Sequence, residues 1–257
     1  MQDSSKQALM AHLRGRSFQA VLDAPSGGGW LPEALGDDVA VDGIDLYVDN
    51  APGYRKFWKH DLDEGLPEDC QGYDLICCEG LEHVGSPLLL LRNFHRALTE
   101  GGTLIITTPN VWYPQARLQY LFRGFFPSFP ALVGKVNPGT HMHITPWSFP
   151  QLYVFLKLAG FSPPTMIPEP LSRPKHFHER IIGLPAKLYC RSRLKKARTD
   201  EEREYWKQAG AQESLLGRHL IAVTTKVASL DQHHVFERVK QTWNINTVLD
   251  VGATEGE

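Results

Sequence analysis

Over its first hundred residues the chain alternates short apolar runs with stretches of helical spacing. Residues 18–24 are an apolar run ending at a glycine-rich turn, residues 39–47 are a second and residues 73–78 a third. Each has the length of a buried strand. From Pro87 onward Leu88, Leu91, Phe94, His95 and Leu98 recur at helical spacing, with Gly101-Gly102 as the expected stop. Residues 103–108 are rich in β-branched side chains and close at Pro109-Asn110, which predicts another strand. Strands and helices in alternation predict an α/β fold whose parallel sheet is covered on both faces.

Residues 111–139 break this rhythm. Trp112, Tyr113, Tyr120, Phe122, Phe125, Phe126 and Phe129 are interleaved with prolines and with Arg117 and Arg123. We read an insertion over the sheet's edge, with two uses. One is a lid that shuts an acceptor pocket against water. The other is a surface for a membrane-presented acceptor, helped by the basic segment at residues 187–198. The sequence shows no continuous amphipathic helix there, which favours the lid. Residues 150–159 predict a helix with Leu152, Phe155, Leu156 and Ala159 on one face, ended by Gly160-Phe161. Thr199 to Glu202 has the T-x-x-E form of a capping box and should start another helix. Residues 218–227 are the last strand, and residues 248–256 then repeat the strand-and-turn pattern of residues 21–29.

Bulk properties narrow the class. A chain of 257 residues is one large domain, or one domain and a fragment. Its 42% hydrophobic content suits a globular core, and its net charge of -2 gives no overall field for nucleic acid. The sequence lacks the roughly 18-residue apolar run of a membrane span, and residues 1–6 are polar, unlike a signal peptide. Cys70, Cys77, Cys78 and Cys190 show no metal-ligand spacing, and the Cys77-Cys78 pair lies in an apolar run. Reduced core thiols and a cytoplasmic location are expected.

The chemistry begins at the glycine loop. A strand, a glycine-rich turn and a helix bring backbone close to a nucleotide-like ligand. Gly27-Gly28-Gly29-Trp30-Leu31-Pro32 lacks the third glycine of a dinucleotide fingerprint. Asp23 stands at the strand end before that loop, where it would repel pyrophosphate and suit a ligand carrying cationic groups. S-adenosyl-L-methionine, with an ammonium, a sulfonium and no phosphate, is such a ligand. Asp45 ends the next strand 22 residues later, the position of an acid that accepts from ribose hydroxyls. Asp61-Leu62 follows an apolar-aromatic stretch and could meet an adenine. Glu79 sits at a strand's carboxyl end, where ligands bind in such sheets, and could touch the donor's amino-acid end.

With these residues in place, the chain resembles the class I (Rossmann-like) S-adenosylmethionine-dependent methyltransferase family over roughly residues 18–227. Residues 23–29 resemble the family's D-x-G-x-G-x-G loop, with Pro25 at the first glycine. Residues 73–83 resemble its F-D-x-V-x-x-x-x-x-L-E-H stretch and residues 98–110 its L-x-P-G-G-x-L-x-x-x-x-P-N stretch. The resemblance implies a doubly wound, mostly parallel sheet of about seven strands with helices on both faces and an aromatic-rich lid. It implies donor contacts by Asp23, Ala24, Ser26, Gly27, Gly29, Asp45, Leu46, Asp61, Leu62 and Glu79, and S-adenosyl-L-homocysteine as product.

On the acceptor side, Glu82-His83 could form an acid–imidazole pair, which matters only if a hydroxyl must lose a proton. His141 and His143 would face one side of an extended segment. The resemblance gives that position an acceptor-side role, so His143, His83 and His141 are the catalytic candidates. No metal is expected, because these histidines show no further ligand at recognisable spacing. Residues 1–227 read as one methyltransferase domain, with an acceptor insertion at about 111–146 and a helical basic insertion at about 185–216. Residues 228–257 read as a linker and the truncated start of a second methyltransferase domain of the FkbM type. Tandem modules of that kind suggest O-methylation in polysaccharide biosynthesis, with a saccharide, lipid-linked or other small-molecule acceptor; a phenolic acceptor stays open. The alternatives are an NAD(P)-dependent oxidoreductase or epimerase, for which Tyr153 and Lys157 have the Tyr-x-x-x-Lys spacing, and a donor-binding module without turnover.

Overall fold

The computed structural model describes residues 3–49, 51–126, 142–168 and 177–227. His141, most of the second half of the aromatic insertion and the repeat at residues 248–256 lie outside the described residues.

The chain runs through α1 (Asp3–Leu13), β1 (Ala20–Asp23), α2 (Trp30–Leu35), β2 (Ala40–Asp45), β3 (Lys56–Lys59) and β4 (Tyr73–Glu79). It continues through α3 (Pro87–Ala97), β5 (Leu98–Pro109), α4 (Pro114–Arg123), α5 (Phe149–Leu158) and β6 (Thr165–Met166). It then forms α6 (Phe177–Lys196), α7 (Asp200–Ala209), α8 (Gln212–Leu216) and β7 (His219–Thr225). The seven strands form one sheet in the order β3-β2-β1-β4-β5-β7-β6. Pairing is parallel from β3 to β5, while β7 runs antiparallel to both β5 and β6. The expected doubly wound, mostly parallel sheet is therefore present.

The continuous apolar runs follow from burial on both faces. Leu22, Ile76, Cys78, Leu104 and Ile106 join a core with Leu90, Leu91 and Phe94 of α3 and Leu152 and Leu156 of α5. Their chain neighbours Val21, Leu75, Cys77 and Ile105 point to the other face, into a core with Ala8, Leu9 and Leu13 of α1. Cys77 and Cys78 thus belong to opposite cores, and the four cysteines are free thiols, all buried.

Several boundaries differ from the sequence reading. Helix α3 ends at Ala97, not at Gly101-Gly102, because Leu98 is already extended and pairs with Tyr73. The glycines sit inside β5, near a register irregularity between Tyr73 and Leu75. Residues 56–59, read only as an apolar-aromatic stretch, are an edge strand. Part of the aromatic insertion is a regular helix, α4, and the basic segment belongs to a helix of 20 residues, α6. The Thr199 cap holds: its hydroxyl accepts from Glu202 N at 3.1 Å, and the Glu202 carboxylate accepts from Arg198 N at 2.7 Å.

Candidate active site

The sheet order places a topological switch between β1 and β4, where chain connections depart in opposite directions. Ligands of such sheets bind outside the carboxyl ends of the strands at that point. A cavity of about 800 Å³ opens there. Its walls include the expected donor contacts Asp23, Ser26, Gly27, Asp45, Leu46, Asp61, Leu62 and Glu79 and the catalytic candidates His83 and His143, with Met142 and Ile144 beside them. Ala24 and Gly29 are not in the wall. Ala24 is fully buried and donates its N–H to Cys77 O at 2.9 Å. Gly29 lies against Ala51 and Tyr54 at the start of α2.

The glycine loop is pinned to both neighbouring strands. Ala24 ties it to β4, and Ser26 N donates to Ile44 O of β2 at 2.8 Å. Gly27 N donates to the Asp45 carboxylate at 2.9 Å, whose other oxygen accepts from Tyr47 N and Val48 N at 2.8 and 3.2 Å. A carboxylate offers about four acceptor positions. Asp45 therefore organises the loop and still has capacity for a ligand hydroxyl. Pro25 packs against Gly80, where a Cβ would meet its ring at 2.5 Å. The proline at a glycine position of the loop is matched by a glycine on the facing strand's exit.

Asp23, Asp45 and Glu79 end β1, β2 and β4 and bring three carboxyl groups to the cavity. Burial pushes the Asp23 carboxyl up to about 8, the negative neighbours Glu79 and Asp45 add to this, and a 2.7 Å hydrogen bond from Tyr54 Oη opposes it. Burial also raises Glu79. Acids whose ionised forms are disfavoured in this way suit a cationic ligand, whose charge would favour ionisation. The Ser26 hydroxyl in the same wall is buried near the Tyr54 hydroxyl, where it can also meet a polar ligand group. This donor set fits S-adenosylmethionine.

Sequence reasoning missed Tyr54. One signal was available: Gly43 in mid-strand marks a close approach, and a Cβ there would meet the Tyr54 and Phe57 rings at 2.9 Å. Asp61 caps the turn at Leu62–Glu64 by accepting from Asp63 N at 2.9 Å, and it also lines the cavity.

The other end of the cavity joins two distant segments. Ile144 N and Thr145 N donate to Glu82 O at 2.9 and 3.0 Å, and Thr145 Oγ1 donates to Val84 O at 3.1 Å. His83 Nδ1 lies 2.8 Å from Met142 O. A carbonyl only accepts, so Nδ1 carries a hydrogen, and in the neutral ring Nε2 is the acceptor. Nε2 lies 3.7 Å from Glu82 Oε1, while Glu82 Oε2 accepts from the Thr108 hydroxyl at 2.9 Å. The His143 ring packs edge-on to His83 with centroids 4.7 Å apart. Phe126, from the aromatic segment, shares an adjoining small cleft with Glu82, His143 and Trp147. His219 at the start of β7 completes this end of the wall; the sequence reading had passed over it.

Tyr153 and Lys157, the pair an oxidoreductase would use, are both held by Glu201 of α7. Neither lines the cavity.

Comparison with known proteins agrees with this geometry. The family model for a methyltransferase domain matches residues 5–163, more than half of the chain. The ubiquinone biosynthesis O-methyltransferase of Pseudomonas syringae is 34% identical over a match covering 39% of this chain and 47% of that protein. The mitochondrial ubiquinone biosynthesis O-methyltransferase of Rattus norvegicus is 29% identical over 49% of this chain and 39% of its own length. The match thus spans about half or less of these curated relatives. Among solved structures, a chain from the complex of the Haloferax volcanii Trm112 methyltransferase activator with a candidate methyltransferase superposes with a TM-score of 0.51 at 16% identity, covering 88% of this chain and 89% of that one. A candidate S-adenosylmethionine-dependent methyltransferase from Listeria monocytogenes gives a TM-score of 0.51 at 12% identity, covering 88% and 100%. These likenesses show the fold. Together with the family match and the ordered motifs around the cavity, they place the chain in the class I S-adenosylmethionine-dependent methyltransferase family.

Proposed function

We propose that this chain is an S-adenosylmethionine-dependent O-methyltransferase of a small-molecule hydroxyl. One observation carries the reading: a single cavity pairs the buried acids Asp23 and Asp45 and the half-buried Glu79 with the Glu82, His83 and His143 cluster. Bound at the acids, the donor supplies a methyl group already activated on a sulfonium. The protein's tasks are then alignment and removal of the acceptor's proton. Asp45 and the loop it holds orient the ribose, and Asp23 with Glu79 balances the positive charge. His83 Nε2 would take the hydroxyl proton as the new O–C bond forms and the donor's S–C bond breaks, its electron pair leaving on the sulfur of S-adenosylhomocysteine, and Glu82 at 3.7 Å would stabilise the imidazolium. His143 packs on His83 and helps to set its position. We take residues 1–227 as the catalytic unit, a reading supported by the place of β6 and β7 in the same sheet.

For the acceptor, the curated relatives' part in ubiquinone biosynthesis favours a phenolic hydroxyl. The repeated loop at residues 248–256 favours a saccharide. Calorimetry with S-adenosylmethionine, S-adenosylhomocysteine and NADH tests the donor. Binding of the two sulfur ligands and not NADH is expected; NADH binding without either sinks the proposal. A panel of phenols and sugars scored for labelled methyl uptake then selects the acceptor.

The acceptor-side cluster admits a second reading. Donor atoms of Glu82, His83 and His143 lie within 4.8 Å of one another, and an imidazole–carboxylate set suits a divalent transition metal. Thr108 orients Glu82, and Met142 O takes the Nδ1 hydrogen of His83, which leaves Nε2 of a neutral ring as the nitrogen that would ligate. This second reading departs from the sequence expectation of no metal. Chelation followed by add-back separates the readings. Turnover lost in chelator and restored by cation, at constant donor affinity, assigns a metal; full turnover in chelator leaves His83 as the base.

A further inference from the structure

Helix α6 has an inward face and an outward face that do not follow the usual rule. Inward, Glu179, Gly183 and Cys190 are buried. Glu179 is paired with Arg218 of the loop before β7 at 2.9 Å, and the helix packs against α4, α7 and α8. The rotation of the helix about its own axis is therefore fixed. A solvated helix would then turn charges and amides outward. Here Phe177, Ile181, Leu184 and Leu188 are 77%, 56%, 49% and 54% exposed. Their spacing of four, three and four residues puts them on one stripe, within about 60° around the axis at 3.6 residues per turn.

Charge on this helix is one-sided. Arg180, Lys187, Arg191, Lys195 and Lys196 are exposed, Arg193 lies over the Trp206 ring of α7, and the single acid, Glu179, faces inward. Arg191 and Lys195 continue the apolar stripe toward the C-terminus by helical spacing, and Arg180 and Lys187 border it. The chain as a whole carries a net charge of -2, so this concentration is local. On a helix whose other side is packed on the protein, an apolar stripe with cations along one edge and beyond its end suits the headgroup region of an anionic bilayer. Lysine and arginine stems reach from such a position to lipid phosphates. A protein partner of ordinary composition would not require the whole cationic edge. No helix among the described residues is long and apolar enough to cross a membrane, so the contact is with the surface.

We propose that the outward face of α6 docks on an anionic lipid surface. The inference stands apart from the identity of the acceptor and uses no residue of the cavity. The test is flotation of the full chain with vesicles of phosphatidylcholine alone or mixed with phosphatidylglycerol. The expected result is binding to the mixed vesicles, little binding to phosphatidylcholine alone, and release as salt rises. Ile181→Asp with Leu188→Asp should weaken vesicle binding at least tenfold, because two apolar anchors become anions. Lys187→Glu with Arg191→Glu should remove the preference for phosphatidylglycerol. Both pairs are exposed, so helix content and donor binding should stay at wild-type levels, which makes a folding failure visible. Absence of binding to mixed vesicles, or equal binding by the Ile181→Asp, Leu188→Asp variant, overturns the proposal. So does a wild-type dimer that Leu188→Asp dissociates without any effect on vesicles, since the face would then belong to a second copy.

Discussion

The two ends of the cavity are built in different ways. At the donor end, the groups come from consecutive strand tips, and backbone does most of the holding. Ala24, Ser26 and Gly27 each give an N–H to the neighbouring strands β4 and β2 or to the carboxylate that ends β2. At the acceptor end, the groups come from residues 82–84 and 142–145, stitched together by four hydrogen bonds that span about sixty residues of chain. The donor end is thus a property of the sheet, and the acceptor end is a property of how one loop is laid over it. Damage at one end should leave the other intact, and that separation is what experiments can break.

The largest expected effect is at the acceptor end. His83→Ala removes the proposed base, and general-base catalysis contributes about 10²–10⁴-fold. We expect kcat to fall by that order with the donor dissociation constant unchanged. A His83→Ala protein that turns over normally ends the base assignment. One whose donor affinity collapses shows that the two ends are not separable. Next comes Asp45→Ala, which strips Gly27, Tyr47 and Val48 of their acceptor and, in the proposed role, the ribose of its own. Charged hydrogen bonds contribute about 1.5–3 kcal/mol each, so donor affinity should fall at least tenfold by calorimetry. Unchanged affinity would refute the ribose role.

A smaller effect sharpens the same contrast within the donor end. Gly80→Ala drives a methyl into the Pro25 ring at 2.5 Å. Overpacking of this sort costs about 1–3 kcal/mol. Melting temperature and donor affinity should both drop, and Pro25→Gly in the same chain should recover much of the loss. If the double variant is no better than Gly80→Ala, the two positions are not matched to each other.

The difference between the two ends also governs what could be read from the chain alone. Asp23, Asp45 and the glycines stand in one local pattern, and strand alternation fixes where a strand tip points. Both faces of the sheet are covered, so Val21 and Leu22 or Cys77 and Cys78 read as unbroken apolar runs, and the parallel strands were legible. The partnership of Glu82 with Thr108, or of His83 with Met142, is tertiary and leaves no spacing signal. For the same reason the Glu82, His83 and His143 set was not visible from the interval between His141 and His143. Helix α6 was only partly legible for another reason. Gly183 and Pro185 interrupt its pattern, and its most regular apolar stripe faces outward, so periodicity does not mark a core face.

The last prediction concerns the charge stored at the donor end, and its sign can be worked out. Asp23 has an ordinary carboxyl value near 3.8 when exposed and about 8 in the folded chain. Between these values the folded form holds a proton that the unfolded form has released. Stability from this group is therefore complete below about 4 and is lost as pH rises through about 8. Asp23→Asn keeps the shape and removes the titration. Without ligand at pH 8 and above, it should melt higher than wild type, by about 2–4 °C for each kcal/mol regained in a domain of this size. Its advantage should vanish in acid. Donor binding should move the opposite way. A cationic ligand favours the ionised Asp23, so wild-type affinity should rise as pH is raised from 6 toward 8, with proton release detectable as a buffer-dependent binding enthalpy. Asp23→Asn should bind the donor weakly at every pH. A variant that is more stable and still binds with a wild-type pH profile would mean that Asp23 only holds Tyr54 in place. The positive end of the donor would then have to be balanced by Glu79, which burial also raises.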